Sequence, residues 1–172
     1  MQKTIIFGNS GSGKSTLAKK LVTNNKLAHL DLDTIAWLET SLPQRKSIVD
    51  SAKEIAIFTQ KHDNWVIEGC YSDLLELLII DSELDAIENI GTCEANEMIF
   101  LDLPIEVCIE NAEQRPWEPH KYPSKQAQDQ NLEILTDWIK NYDTRTDSFS
   151  KKTHQTLYES FEGKKTRITH NK

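Results

Sequence analysis

The sequence predicts an α/β domain, a five-stranded parallel sheet with helices on both faces, and three observations carry that expectation. Short apolar runs alternate with longer segments whose apolar residues recur at helical spacing, the signature of strand–helix–strand units. A glycine-rich turn, Gly8-Asn9-Ser10-Gly11-Ser12-Gly13-Lys14-Ser15, joins the first such strand to the first helix. The 172 residues also suffice for one domain, burying about 70% of its unfolded surface without a disulfide or metal staple.

Apolar runs predict strands at Thr4–Phe7, Ala28–Leu32, Trp65–Glu68, Met98–Leu103 and Thr166–Thr169. Helices are expected over Gly13–Thr23, where Leu17 and Leu21 share a face, and over Gln44–Lys61, where Ile48, Ala52, Ile55, Ala56 and Thr59 do. Further helices are expected over Ser72–Ile80, from Pro104 to about Gln114, over Ala127–Asn141 and over Asp147–Phe161. Pro104 suits a helix start, whereas Pro116, Pro119 and Pro123 forbid a regular helix through 116–123. The acidic stretch 81–96 reads as a surface excursion. No repeat or linker divides the chain, so residues 1–172 form one domain, with a lid at about 115–126 and an acceptor-site region at about 33–62.

Composition excludes several function classes. The 20 basic and 27 acidic residues give a net charge of −7, which argues against a nucleic-acid backbone as main partner. Three cysteines without Cys-x-x-Cys spacing indicate neither a disulfide framework nor a zinc site and suit a reducing cytoplasm. No apolar stretch approaches the roughly 20 residues that cross a bilayer, so no membrane partner is expected. Oligomeric state is not set by the sequence. His29, His62, His120, His154 and His170 lack metal-ligand spacing and are expected in surface or packing roles.

The Gly-x-x-x-x-Gly-Lys-Ser turn sits between a strand and a helix, the context in which backbone N–H groups and a helix N-terminus cradle phosphate. Gly8, Asn9, Ser10, Gly11, Ser12, Gly13, Lys14, Ser15 and Thr16 are therefore expected to bind ATP, with Lys14 on the β/γ-phosphates and the Ser15 hydroxyl on Mg²⁺. In a parallel sheet with right-handed crossovers all strand C-termini open on one edge, so residues after the other strands gather around this turn. That places Asp31, Asp33, Glu68, Gly69 and Asp102 at one mouth.

Asp31 and Asp33 share a side of an extended segment, one suited to the metal and the other to orienting an acceptor hydroxyl, a reading that proximity to the phosphate loop favours over a cap on the next helix near Thr34. Glu68, costly to bury unpaired, is read as facing metal-bound water or the acceptor, or as paired to a nearby Lys or Arg. Gly69 would admit the acceptor and Tyr71 line its pocket. Asp102 reads as a cap or a site residue. Arg45, Arg115 and Arg145 are the candidate cations: Arg45 for an anionic acceptor, Arg115 at the head of a proline-rich, aromatic lid to bind ATP through its transferring phosphate or its base, and Arg145 as a second, substrate-binding cation. The patch Gly163-Lys164-Lys165-Thr166-Arg167 borders the base or solvates a strand end.

The phosphate loop, Asp31-Leu32-Asp33, Glu68-Gly69, Phe100-Leu101-Asp102-Leu103-Pro104 and the Arg115 lid together resemble small P-loop kinases, and the likeness spans most of the chain. The nearest broad groups are nucleoside monophosphate kinases and shikimate kinases. Trp65-Val66-Ile67-Glu68-Gly69 and Arg115-Pro116-Trp117-Glu118-Pro119-His120-Lys121-Tyr122-Pro123 more narrowly resemble the adenylate-kinase-related DNA topology modulation proteins. The resemblance implies a P-loop NTPase three-layer sandwich with strand order 2-3-1-4-5, ATP and Mg²⁺, a lid, and metal and substrate roles for Asp31 and Asp33. It implies phosphoryl transfer to a small metabolite, a nucleoside, nucleotide or shikimate-like acceptor, with Lys14, Asp33 and Arg115 catalytic; the alternative is a nucleotide-binding regulator or slow ATPase with a protein or DNA partner. The chain departs from shikimate kinases by Glu68-Gly69-Cys70 in place of a glycine triplet, and from both groups by a single arginine in the lid helix.

Overall fold

The structure is a computed structural model and describes residues 1–39, 43–79, 94–119 and 121–171. Along the chain run β1 (Lys3–Gly8), α1 (Lys14–Asn25), β2 (Ala28–Asp31), a 3₁₀ turn (Leu32–Thr34), α2 (Ile48–Lys61), β3 (Trp65–Gly69) and α3 (Ser72–Glu76). They are followed by β4 (Glu97–Leu101), α4 (Ile105–Glu113), α5 (Lys125–Gln130), α6 (Leu132–Lys140), α7 (Lys151–Ser160) and β5 (Lys164–Ile168). The strands pair in the order β2-β3-β1-β4-β5 and every pairing is parallel, as the sequence predicts.

Alternation of side chains along the strands sends them to two helical layers. Ile5 and Phe7 of β1 join Trp65, Ile67, Met98 and Phe100 beneath α2, α3 and α7, while Ile6 joins Val66, Ile99 and Leu101 beneath Ala18 of α1. Both faces are thus apolar, which is why β1 and β3 read as continuous apolar runs. Phe7 and Phe100, directly paired across β1 and β4, stack with ring centroids 4.9 Å apart and planes within 6°. A third cluster, Leu103, Cys108, Ala112 and Ile139, ties α4 to α6.

Several boundaries differ from the periodicity, each for a local polar reason. Helix α2 starts at Ile48 because Gln44–Lys46 pair as an extended segment with 36–38, through Leu38 N–H to Gln44 O at 2.9 Å and Lys46 N–H to Ala36 O at 2.9 Å; Ser47 then caps the helix. The helix expected over 127–141 is two, broken at Asn131, whose side-chain amide donates to the Tyr122 hydroxyl at 2.9 Å. Helix α7 waits until Lys151 because Asp147 is occupied by Arg145 and by the Phe149 N–H, and Ser150 supplies the cap. Strand β5 begins two residues early, and its exposed edge carries Lys164, Lys165 and Arg167, a charged edge that resists further strand pairing. Helix α3 ends at Glu76, and most of the 81–96 stretch lies outside the described residues, as do His120 and Cys93.

Candidate functional site

Serines cap α2, α5 and α7, each accepting from a backbone N–H in the first turn, but Gly13 at the head of α1 offers no side chain to its helix. The first-turn N–H groups of α1 are therefore left for an external acceptor. Gly13 has φ +89° and open space where a side chain would stand, so the bend toward α1 stays bare. At Gly11, φ is +75° and a Cβ would lie 2.1 Å from the carbonyl oxygen of Cys108, so α4 packs directly on the loop. Asn111 of α4 donates to Gly11 O at 2.9 Å and Asn9 donates to Ile139 O of α6 at 3.1 Å, clamping the loop from two helices. Lys14 Nζ lies across the loop, 2.8 Å from Asn9 O and 3.3 Å from Gly8 O. Ser12 Oγ is buried without a hydrogen-bond partner among the described residues.

A cavity of about 630 Å³ opens over this loop along the C-terminal edge of the sheet. Because β1 is central, the cavity has two ends. Toward β4 and β5 it is lined by Leu101, Leu103, Asn111, Leu135 and Ile168, with His170 at its rim. Toward β2 and β3 it is lined by Asp31, Asp33, Glu68, Gly69 and Cys70. Residues 115–119, 121 and 122 border the same cavity.

The acidic end is organised by hydrogen bonds. Asp31 Oδ1 accepts the Asp33 N–H at 2.9 Å and so caps the 3₁₀ turn, which means the pair serves as cap and cavity wall together. Lys121 Nζ, from the proline-rich segment, sits 2.9 Å from Asp33 Oδ2 and 3.5 Å from Asp31 Oδ2. The Tyr71 hydroxyl donates to Asp33 Oδ1 at 2.6 Å and accepts from Trp37 Nε1 at 2.7 Å. Desolvation in the cavity opposes ionisation of Asp33, but Lys121 and the Tyr71 hydroxyl outweigh it and hold the carboxyl below the usual range. Asp31 moves the other way, raised by burial and by Asp33 and Glu68 beside it. Burial, with Cys70 and Asp33 nearby, keeps the Tyr71 phenol protonated.

Glu68 is buried and faces Asp31 across the β2–β3 register; His29, one strand over, lies 3.3 Å from its Oε1. The partner is a histidine, where periodicity suggests only a surface or packing role. The space beside Gly69 is filled from within, since a Cβ there would lie 2.9 Å from Leu32 Cβ and from Tyr71 Cδ2. Burial pushes the Cys70 thiol up to about 12, so it lines the cavity as a neutral group.

Within the lid, Arg115 Nη1 pairs with Glu118 Oε2 at 3.0 Å, and Gln128 of α5 bonds the Glu118 N–H and the carbonyl oxygens of Arg115 and Pro116. Arg45 pairs with Asp73 at 3.1 Å and lies 4.8 Å from the Tyr71 ring centroid. Arg145 forms two bonds with Asp147, at 2.8 and 2.7 Å, and stacks 3.6 Å from the Trp138 centroid. Neither Arg45 nor Arg145 lines the cavity. Asp102 pairs with Arg167 and Lys151 rather than capping α4, and Lys165 bonds the carbonyl oxygens that end α7, so the basic patch is absorbed structurally. Among the described residues no group of three or more His, Cys, Asp or Glu is disposed to hold a metal ion.

A family model described as ABC transporter matches residues 1–158. The chain belongs to this P-loop NTPase family. Among the described residues no helix of this family member is long and apolar enough to cross a membrane. No curated protein matches the sequence. Among solved structures it is similar to a deoxyadenosine kinase from M. mycoides with bound dATP, at 10% identity over 98% of this chain and 91% of that one, with a TM-score of 0.51. An unliganded sugar kinase from Janibacter sp. HTCC2649 aligns at 13% identity over 98% and 85%, with a TM-score of 0.49. The deoxyadenosine kinase likeness is one of fold, a parallel sheet with helices on both faces.

Periodicity and motif reading pass over three residues of this site. Lys121 falls in a segment marked by its prolines and aromatic residues and by Arg115 at its head, with nothing to single out the lysine, and Asn111 looks like any polar residue on a helix. Trp37 lies beyond the carboxylate pair with no motif around it. For each, the role depends on which elements the fold brings together.

Proposed function

We propose that the chain is an ATP- and Mg²⁺-dependent phosphotransferase acting on a small hydroxyl-bearing metabolite. One observation carries this reading: the phosphate loop and an Asp31–Asp33–Glu68 cluster line a single cavity, at a distance in the chain that only the parallel topology closes. The loop suits a triphosphate, with uncapped N–H groups, a Ser12 hydroxyl unpartnered among the described residues and Lys14 Nζ all at the loop. The β4/β5 end, apolar with Asn111 among its lining residues, suits a nucleobase. Ser15 and Asp31 would hold Mg²⁺, which neutralises phosphate charge when bound and is commonly held by few protein ligands because phosphates and water supply the rest.

The chain's own residues then divide the work. Lys14 follows the phosphate tail and stabilises charge on it during transfer. Asp33 accepts a hydrogen bond from the acceptor hydroxyl, aligns its oxygen on the terminal phosphorus and takes its proton as the bond to the ADP leaving group breaks. Arg115 serves the transferring group from the lid once it exchanges Glu118 for phosphate. This matches the roles implied by the adenylate-kinase-related and shikimate-kinase resemblance, and a cytoplasmic setting supplies the nucleotide.

A second reading, a nucleotide-binding regulator or slow ATPase working with a protein or DNA partner, is favoured by the pairing of Arg115 with Glu118. One experiment decides. Calorimetry with magnesium and a non-hydrolysable ATP analogue should show saturable binding, weakened at least roughly tenfold by Lys14→Ala, as loss of a charge-assisted phosphate contact requires. ADP release should then rise many-fold with one small acceptor; hydrolysis indifferent to acceptors and raised by DNA would select the second reading.

A further inference from the structure

The cations expected to receive an anionic acceptor are not at the acceptor end. Arg45 is held by Asp73 and lies against the rings of Trp37, Tyr71 and Phe149; Arg145 is held by both oxygens of Asp147 and lies flat on Trp138. Together they form an arginine–aromatic stack behind the cavity wall, with Phe149 between them at 5.3 and 5.2 Å. What the β2/β3 end offers instead is Asp31, Asp33 and the buried Glu68, against one lid cation, Lys121, which those first two carboxylates share. Among the described residues the other lysines and arginines along the cavity are Lys14, Lys19 and Lys20 of the phosphate loop and α1, and Arg115, which is paired with Glu118. Trp117, 46% exposed on the same lid, adds an apolar ring face to the lining.

Resting on the phosphotransferase reading, we infer that the acceptor is a neutral polyhydroxyl compound, of the nucleoside or sugar class, and not a phosphate- or carboxylate-bearing one. A molecule whose hydroxyl docks on Asp33 places its remaining atoms among Asp31 and Glu68. Hydroxyl groups satisfy those oxygens as donors, whereas a second anion meets like charge from three carboxylates, against which stand Lys121 on Asp31 and Asp33, Lys14 acting on Asp33, and His29 beside Glu68. Two carboxylates accepting from adjacent hydroxyls also select a diol over a single alcohol. The wall behind them is fixed by the Trp37–Tyr71–Asp33 chain of hydrogen bonds, so the preference is built into a rigid surface.

The test uses matched pairs on the full chain: a nucleoside against its 5′-monophosphate, and a sugar against its aldonic acid and its sugar phosphate. Binding of a magnesium–ATP analogue is measured first by calorimetry, because its absence overturns the phosphate-loop reading itself. With binding established, phosphorylated product is followed by mass spectrometry and ADP release. The neutral member of at least one pair is expected to be turned over with kcat/KM at least roughly tenfold above its anionic partner, and which pair responds separates nucleoside from sugar. Higher kcat/KM for an anionic member, or nucleotide binding with turnover of no neutral acceptor, overturns the inference while leaving the nucleotide site standing.

Discussion

Lys121 Nζ lies 2.9 Å from Asp33 Oδ2, joining the proline-rich segment to the strand-end carboxylates 88 residues earlier in the chain. Each group holds the other in its charged form: Asp33 is held below the usual carboxylate range, and Lys121, despite burial, is raised above the usual lysine range by Asp33 and Asp31. Lys121→Met should therefore let the Asp33 carboxyl rise, moving the acid limb of the kcat profile to higher pH. It should also lower kcat/KM by about ten- to a hundredfold, the worth of a hydrogen bond to a charged group. Lys121→Arg, which keeps the charge, should restore most of both. A profile that stays put in Lys121→Met would show that the lid lysine does not set Asp33.

Tyr71→Phe tests the same carboxylate from the other side. It removes the donor to Asp33 Oδ1 and leaves Trp37 Nε1 without its acceptor. The cost should be about 1–2 kcal/mol of stability, seen as a fall in Tm of roughly 2–8 °C for a chain of this size. The acid limb should again move upward, and because Lys121 and Tyr71 both act on Asp33, the double variant should shift it by an amount different from the sum. Additive shifts would mean that the two act on separate groups.

The parallel sheet could be read because it depends on patterns local in sequence, the apolar runs at Ile5–Phe7 and Trp65–Ile67 and a phosphate loop that fixes which sheet edge holds the site, whereas the strand order came only from the resemblance to small P-loop kinases. The positions of Asp31, Asp33 and Glu68 at one mouth followed from topology alone. What could not be read was pairing between side chains on different elements. Arg45 and Arg145 are indistinguishable in sequence from substrate-binding arginines, and only the fold sets Arg45 against Asp73 and Arg145 against Trp138. Helix ends were misplaced where a single polar side chain decides them, as Asn131 does by reaching Tyr122.

Gly11 and Gly13 separate packing from binding within one loop. Gly11→Ala would force a Cβ to 2.1 Å from Cys108 O at a φ of +75°, so backbone must move. Thermal unfolding should show a loss of at least about 2 kcal/mol, from left-handed strain and overpacking together. Gly13→Ala meets no atom within 4 Å and should lose only the roughly 1–2 kcal/mol of its φ of +89°. Its methyl nevertheless stands at the head of α1, and calorimetry should find nucleotide binding weakened more in this variant than stability would suggest. Equal Tm losses in the two variants would contradict this division.

His154 makes folding depend on pH through a buried, neutral ring. It is fully buried beneath the sheet; its Nε2 can only donate to the carbonyl oxygen of Cys70 at 2.9 Å, so Nδ1 is the acceptor for the Tyr142 hydroxyl at 2.7 Å. Burial lowers its pKa from 6.5 to about 4. The unfolded chain therefore binds a proton that the native state refuses between those values, and stability is complete above pH 6.5 and falls as pH drops toward 4. The loss attributable to this ring is on the order of 3 kcal/mol across the window. Urea unfolding at several pH values should show that slope in the wild type. In His154→Phe it should be flatter by that amount, although the variant starts less stable because Tyr142 and Cys70 O lose their partner. An undiminished slope in the variant would assign the acid sensitivity to other groups.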